Sequence, residues 1–234
     1  MNPTGPSSSS PHRPRNVAPT ERAVNAYSTS GNPLRTLVEL VSAAFTGVLG
    51  SATLITGHDV DIELARAADL ERLRRFFEQL SDTSTYYRFF GTRPRIPDDE
   101  LRGVLTQRLP DHVTLLASFD GSVIGLGEYV AGELPDEVEV AFTVTDAHHR
   151  EGVATLLLER LAVVALRCGM SRLTACTLPG NVDMLLVFRT VGLPEQHHFD
   201  PRDGVIHVVL DLAGIDAMSK SAIARHPASS RLFA

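Results

Sequence analysis

Two apolar runs separated by Asp120-Gly121 constrain the fold more than any other feature of this sequence. An Asp-Gly dipeptide between alternating apolar segments is the strongest short-range signal for a tight β-hairpin. Residues 112–119 and 122–130 are therefore predicted to form two antiparallel strands. Residues 137–145 alternate apolar and polar side chains in the same way and predict a third strand. The centre of the chain is thus expected to form an antiparallel sheet.

A long helical segment follows the third strand directly. Residues 152–167 carry apolar side chains on one broad helical face, and the pattern stops at Cys168-Gly169, a usual helix terminus. Three further elements are predicted from the same kinds of pattern: a strand over 173–178, a helix over 181–191 and a strand over 205–212. This order is typical of an α/β (α+β) fold in which helices flank a mixed, mostly antiparallel central sheet.

The segment ahead of the hairpin predicts one strand and several helices. Val60, Ile62 and Leu64 alternate with acidic residues, as in a half-buried strand. Helices are expected over 68–80 and 84–90, and a third helix begins at Pro97, where proline is followed by acidic residues.

The ends of the chain differ in composition from this main domain, which is expected to span residues 58–213. Residues 1–33 are rich in Ser, Pro, Asn and Thr, and predict a disordered tail. Residues 34–50 have apolar side chains at helical spacing and predict an amphipathic helix that docks on the main domain, with a membrane-surface or partner role as the alternative. Residues 214–234 are expected to be a C-terminal tail.

Charge and cysteine usage exclude several classes of protein. The chain has 28 acidic and 22 basic residues, a net charge of -6 and no dense basic stretch, which argues against nucleic acid as a partner. Its two cysteines are typical of a reducing compartment. The sequence starts without the apolar segment of a signal peptide, and residues 37–49 are too few to cross a bilayer. A cytoplasmic protein without a transmembrane segment is expected.

The turn between the third strand and the long helix is the most informative point for chemistry. A strand that feeds a helix through a tight turn presents free amide N–H groups, and the helix dipole adds positive potential there. The turn reads His149-Arg150-Glu151-Gly152-Val153-Ala154-Thr155, with Gly and Ala where longer side chains would block approach to the backbone. This segment therefore predicts a diphosphate site.

This loop and its surroundings resemble the GNAT superfamily of N-acetyltransferases over residues 61–212. The superfamily's loop reads Gln or Arg, any, any, Gly, any, Gly or Ala; here Gly152 and Ala154 match and His149 takes the first position. The motifs around it resemble the branch of actinobacterial protein-lysine acetyltransferases, also found fused to ADP-forming acyl-CoA synthetase-like chains. They are Glu139-Val140-Ala141-Phe142, Leu156-Leu157-Leu158-Glu159, Leu178-Pro179-Gly180-Asn181 and Leu80-Ser81 with Ser84, Tyr86, Arg88, Phe89 and Phe90.

The resemblance implies transfer of an acetyl group from acetyl-CoA to an amine, a protein lysine or a small amine, directly within a ternary complex. In that branch the glutamate before Val-Ala-Phe is the proposed general base, which carries over to Glu139. A base is needed because a protonated amine has no lone pair with which to attack a thioester. The residues implied in acetyl-CoA binding are Phe142, Thr143, Val144, Arg150, Glu151, Gly152, Val153, Ala154, Thr155 and Asn181.

Some of these residues have a second interpretation. Glu139 could be an exposed strand carboxylate, and Asn181 could be only the N-cap of its helix. Glu151 would place negative charge near a diphosphate, and the helix after Asn181 lacks the tyrosine that many GNAT enzymes use as general acid. The alternative function is therefore a non-catalytic acyl-CoA-binding regulatory module.

Histidines raise the question of a metal site. His148, His149, His197 and His198 form two adjacent pairs, but neighbouring histidines on a strand point to opposite faces. No cysteine or carboxylate set near them completes a ligand pattern in the sequence, so no metal is expected.

Overall fold

An eight-stranded sheet runs through the computed structural model, which describes residue 45, residues 48–93 and residues 95–215. Its strand order is β1-β2-β3-β4-β5-β6-β8-β7, and every neighbouring pair is antiparallel except β5 and β6. The strands are β1 Gly50–Thr53, β2 Asp59–Leu64, β3 His112–Phe119, β4 Ser122–Ala131, β5 Glu137–Val144, β6 Arg172–Thr177, β7 Glu195–Asp200 and β8 Val205–Asp211. The mixed, mostly antiparallel sheet predicted from the sequence is confirmed.

The predicted hairpin joins β3 and β4. Asp120 and Gly121 have φ values of 48° and 75°, the two positive angles that a two-residue type I′ turn requires. The strands pair from His112 opposite Val130 to Phe119 opposite Ser122, with one irregularity after Ala117. The local sequence signal therefore determines this part of the sheet.

Helices pack on both faces of the sheet, and the structure describes α1 Leu70–Glu78, α2 Asp82–Phe89, α3 Asp98–Val104, α4 Val153–Arg167 and α5 Val182–Thr190. Adjacent residues of β3 show the two layers, because side chains alternate between faces along a strand. Leu115 belongs to the buried cluster around α4, whereas Leu116 belongs to the cluster formed with α1 and α3. None of the helices in the described ranges has the length and apolar character needed to span a bilayer.

Glycines in β4 let α4 lie close against the sheet. A Cβ atom at Gly125 would stand 2.6 Å from Val153 Cγ1 and 3.2 Å from Leu157 Cδ1. A Cβ atom at Gly127 would stand 3.1 Å from Leu157 Cβ. These distances are shorter than, or at the lower limit of, normal van der Waals contact. The start of α4 can therefore lie this close to β4 because Gly125 and Gly127 have no side chains.

The parallel pairing of β5 with β6 ends after three residues. It joins Glu137, Val138 and Glu139 to the segment from Arg172 to Thr174. Beyond Glu139, β5 continues its pairing with β4, while β6 continues its pairing with β8. The sheet is therefore split at this point, and the last part of β5 borders an opening.

Two strands were not predicted, and they lie at the two edges of the sheet. β1 begins at Gly50, so the helix predicted over 34–50 does not reach its last residue; of that segment the structure describes only residue 45 and residues 48–50. Phe45 is helical, and Phe45 and Val48 are buried in the main core. β7 pairs with β8 at the other edge.

The tail predicted over 1–33 lies outside the described residues, as do residues 216–234. Ile215, the last described residue, packs into the core.

Candidate active site

A cleft of about 730 Å³ opens where β5 and β6 separate, between α2, the start of α4 and α5. Of the eleven residues expected from the sequence to act in catalysis or acetyl-CoA binding, ten line this cleft. They are Glu139, Phe142, Thr143, Val144, Arg150, Gly152, Val153, Ala154, Thr155 and Asn181. Glu151 is not among the lining residues. The fold thus brings together segments that are far apart in the sequence.

The loop before α4 presents backbone amides to this cleft. Arg150 and Gly152 have positive φ angles of 63° and 93°, and Gly152 caps the helix. The helical hydrogen bonds begin with Leu156 N–H to the Gly152 carbonyl at 2.9 Å, so the amides of the three residues before Leu156 point out of the helix end. No atom lies within 4 Å of a Cβ position at Gly152, which leaves space beside the backbone. Such a loop can hold an anion.

The Glu151 carboxylate lies with two imidazoles. Its Oε2 is 2.9 Å from His148 Nδ1 and 3.7 Å from His58 Nδ1. The hydrogen bond with His148 lowers the pKa of Glu151, so the group is ionised. These contacts hold the Glu151 side chain outside the cleft lining, and the expectation that Glu151 is part of the acetyl-CoA set stays a prediction. The Glu151 carboxylate thus has two imidazole neighbours rather than the cleft in front of it.

The start of α2 is tied to the same loop. Asp146, which follows β5, accepts hydrogen bonds from Ser81 Oγ at 2.6 Å and Ser84 Oγ at 2.9 Å. Burial alone would raise the pKa of Asp146, but these hydrogen bonds outweigh it and hold the pKa below its usual range. Tyr87 donates from its hydroxyl to the Gly180 carbonyl at 3.1 Å. Helix α2 therefore bridges both walls of the cleft.

Glu139 is an exposed carboxylate in the cleft, at the last position where β5 and β6 pair. The surrounding walls remove part of its water, and this desolvation raises the pKa of Glu139 above its usual value. The positive potential of Arg88 and His207 acts in the opposite direction. The negative charges of Glu128 and Glu133 add to the increase. The group is therefore a stronger base than a fully hydrated carboxylate.

A buried polar network beside Glu139 was not predicted from the sequence. Glu128 on β4 accepts from Arg88 at 3.0 Å and lies 2.9 Å from His112 Nε2. Although burial would raise the pKa of Glu128, His112 and Arg88 hold it below its usual range. The sequence does contain one indication of this network, because Glu128 is an acidic residue in an otherwise apolar strand. Its partners Arg88 and His112 belong to other elements, so no local sequence pattern predicts the contacts.

Cys176 and His207 form a second pair that the sequence did not indicate. Their Sγ and Nδ1 atoms are 3.3 Å apart on the paired strands β6 and β8, and Cys176 lines the cleft. Burial, with the charge of Glu139 adding to it, raises the pKa of Cys176 to about 11. The thiol is therefore protonated near neutral pH and is not poised as a nucleophile.

The two walls of the cleft also carry polar residues. Thr143 and Thr177 line the cleft, and their hydroxyls are buried without a hydrogen-bond partner among the described residues. Asn181 accepts from the Met184 amide at 3.2 Å, so the N-cap interpretation of this residue holds, while its side chain also lines the cleft. Arg150 reaches across to Asp183 at 3.3 Å in an exposed ion pair.

Known proteins share this fold, and two of them also share part of this sequence. The GNAT domain of PAT from S. lividans is 35% identical, with coverage of 70% of this chain and 97% of that chain and a TM-score of 0.65. An acetyltransferase of Pseudomonas aeruginosa is 28% identical over 174 residues, or 71% of this chain and 93% of the relative. The acetyltransferase yncA of Salmonella typhimurium, solved with acetyl-CoA, shares the fold at 19% identity, with coverage of 65% and 94% and a TM-score of 0.53.

The fold and the cleft are those of an acyl-CoA-dependent N-acyltransferase. The chain belongs to the acetyltransferase (GNAT) family, whose model matches residues 69–193. Its co-substrate is acetyl-CoA, as the resemblance of the loop before α4 implied.

Proposed function

We propose that this protein transfers the acetyl group of acetyl-CoA to the side-chain amine of a lysine in another protein, with Glu139 as the general base. The observation that carries the proposal is the position of Glu139. It lies where β5 and β6 part, in the same cleft as the free amides in the first turn of α4. An amine that enters between the strands meets this carboxylate next to the free edge of β5.

The diphosphate of acetyl-CoA binds to the amides of Val153, Ala154 and Thr155, next to the open space at Gly152. The pantetheine arm then extends along β5 from Val144 towards Phe142, where a sheet edge can hydrogen-bond amides as an added strand would. A backbone N–H of this edge polarises the thioester carbonyl, because a fixed donor stabilises the negative charge of the tetrahedral intermediate.

Glu139 takes the proton that the attacking amine must lose. A base works best when its pKa is close to the operating pH, and partial burial raises the pKa of Glu139 in that direction. Arg88 limits this increase, and Arg88 is in turn held by Glu128. The network beside the base therefore opposes the increase in the pKa of Glu139 while leaving this group more basic than a surface glutamate.

A protein acceptor fits the rim of the cleft better than a small amine does. Ile55, Phe90 and Leu186 line it and remain 67%, 42% and 58% exposed. Exposed apolar side chains around a polar site are typical of surfaces that bind other proteins. The resemblance to protein-lysine acetyltransferases, together with the 35% identity to the PAT domain, supports the same acceptor class.

The test compares Glu139→Gln with wild type, using acetyl-CoA and a panel of lysine-bearing proteins and polyamines followed by mass spectrometry. We expect normal acetyl-CoA binding by calorimetry and a loss of turnover of about 10²- to 10⁴-fold near neutral pH, the usual contribution of a positioned base. The loss should shrink at high pH, where free amine is abundant without a base.

Glu137→Gln is the matched control, because Glu137 lies on the same strand and face but outside the cleft lining. It should retain wild-type turnover. Equal turnover of Glu139→Gln and wild type would remove Glu139 as the base. Transfer to polyamines but to no protein would refute the lysine proposal, and tight acetyl-CoA binding without transfer to any acceptor would favour a regulatory module.

A further inference from the structure

Two histidines and a glutamate lie close together beside α4: His58, His148 and Glu151. Of these three residues, His148 alone is part of the cleft lining. His58 lies in the turn between β1 and β2, and His148 and Glu151 lie between β5 and α4. One ring nitrogen of His58, one ring nitrogen of His148 and a Glu151 carboxylate oxygen all lie within 4.8 Å of one another. We propose that these three side chains form a zinc-binding site that joins the β1–β2 turn to the loop.

The distances suit a shared ion. Ligands at the 2.0–2.1 Å typical of zinc stand about 3.3 Å apart in a tetrahedron. The Oε2 atom of Glu151 is 2.9 Å from His148 Nδ1 and 3.7 Å from His58 Nδ1, which bracket that separation. The separation of the two imidazole ligand atoms is at most 4.8 Å, so the proposal requires side-chain rotations that bring the two imidazoles closer together, with water as the fourth ligand.

The donor set favours zinc over the common alkaline-earth ions. Two imidazoles and one carboxylate are ligands that zinc accepts in proteins, whereas Mg²⁺ and Ca²⁺ take oxygen ligands. Zinc would replace the proton shared by His148 Nδ1 and Glu151 Oε2, which lie 2.9 Å apart, so zinc binding should release a proton.

Phe119 orients both imidazoles. Its ring is stacked on His58 at 5.0 Å between centroids and contacts His148 edge-on at 5.8 Å. An apolar group that fixes ligand orientation and limits solvent access is a usual part of metal sites. The site is therefore supported from a third element, the end of β3.

Zinc at this site would offset the negative charge of Glu151 near the free amides in the first turn of α4. Removing one negative charge close to a helix N-terminus should tighten binding of a diphosphate roughly two- to fivefold. The coupling is reciprocal, so the nucleotide should tighten zinc binding by the same factor. Desulfo-CoA is the suitable probe, because it lacks the thiol that would itself bind zinc. Equal affinity for desulfo-CoA with and without zinc would overturn this coupling.

The site itself is tested on the full chain with ZnCl₂ by calorimetry and with Co²⁺ by visible absorption, which is intense for tetrahedral coordination. We expect one ion per chain and at least a tenfold loss of affinity in His58→Gln, His148→Gln and Glu151→Gln. His149→Gln is the matched control: His149 neighbours a ligand, but its Nε2 lies 2.9 Å from the Val144 carbonyl oxygen. It should bind zinc like wild type.

Two results would overturn the proposal. One is Co²⁺ that gives no intense visible band with wild type. The other is equal zinc affinity of wild type and His58→Gln; His58 is suited to this test because its side chain is 45% exposed and its replacement is compatible with folding. The three side chains would then form a hydrogen-bonded ion cluster only. Neither measurement depends on turnover, so the result is independent of the role proposed for Glu139.

Discussion

Glu139 is held in an environment that is less favourable for a charge than water is. The walls of the cleft raise its pKa, and the nearby carboxylates of Glu128 and Glu133 add to the increase. A raised pKa means that the folded state prefers the protonated form of this group. Stability and function are therefore opposed at this residue, because the proposed base must be ionised to act.

This opposition predicts a stability change in Glu139→Gln. Above the folded pKa of Glu139, the wild-type fold contains a charge that it disfavours, whereas glutamine is neutral; the variant should then have the higher melting temperature near pH 7.5. Below the unfolded pKa the carboxyl is protonated in both states, so the difference should disappear as the pH falls towards about 4. Thermal melts at a series of pH values measure it. A variant that is less stable than wild type at pH 7.5 would contradict the unfavourable environment described for Glu139.

At the scale of elements, β4 and α4 are fitted to each other through glycine. Gly125 faces Val153 in the first turn of α4, the turn that carries the cleft's amides. Because a Cβ at Gly125 would be only 2.6 Å from Val153 Cγ1, an added methyl group must displace the Val153 side chain, and we expect the start of the helix to move with it. The geometry of the proposed diphosphate site thus depends on β4, a strand that does not itself line the cleft.

Gly125→Ala should therefore destabilise the protein by about 1–3 kcal/mol, as overpacking of a core does. It should also weaken acetyl-CoA binding through the shifted start of α4. Gly103→Ala is the control, since Gly103 is an exposed helical position with no atom within 4 Å of its Cβ; this change should stabilise by about 0.4–1 kcal/mol. Urea unfolding measures both variants. A neutral effect of Gly125→Ala would show that α4 is free to shift.

Local sequence patterns predicted those helices and strands that have one apolar face packed in the core. The hairpin at Asp120-Gly121 and the apolar face of α4 were predicted because turn chemistry and periodicity act over a few residues. β1 is only four residues long, and β7 is exposed along most of its length, so neither has an apolar alternation to detect. Both are edge strands that depend on backbone pairing with a neighbour.

The same distinction applies to the cleft. The loop before α4 and Glu139 were indicated by motifs within one segment of the chain. The contacts of Arg88 with Glu128, Cys176 with His207 and His58 with Glu151 each join separate elements. No spacing in the sequence encodes such contacts, so they required the fold.

The whole molecule is organised around the split in its sheet. One half contains β1 to β5 and the other β6 to β8, and within the described residues the two halves pair directly only along Glu137–Glu139. The cleft lies in this split and is lined from both sides, by Val144 on one half and Thr177 on the other. A ligand that fills the cleft contacts both halves and should therefore stabilise the protein as a unit.

Acetyl-CoA at about 100 times its Kd should raise the free energy of unfolding by about 2.7 kcal/mol, because it binds the folded state alone. Gly152→Asp should abolish most of this gain, since it places a side chain and a negative charge in the open space beside the proposed diphosphate site. Gly204→Asp is the matched control: Gly204 also has a positive φ, 69°, and open space at its Cβ, but it lies in the turn before β8, outside the cleft lining.

Both variants contain the same residue in a left-handed conformation, which costs about 1–2 kcal/mol, so their melting temperatures without ligand should fall by similar amounts. Melts with and without acetyl-CoA separate the two effects. A ligand-induced shift in Gly152→Asp as large as that of Gly204→Asp would mean that the diphosphate binds elsewhere.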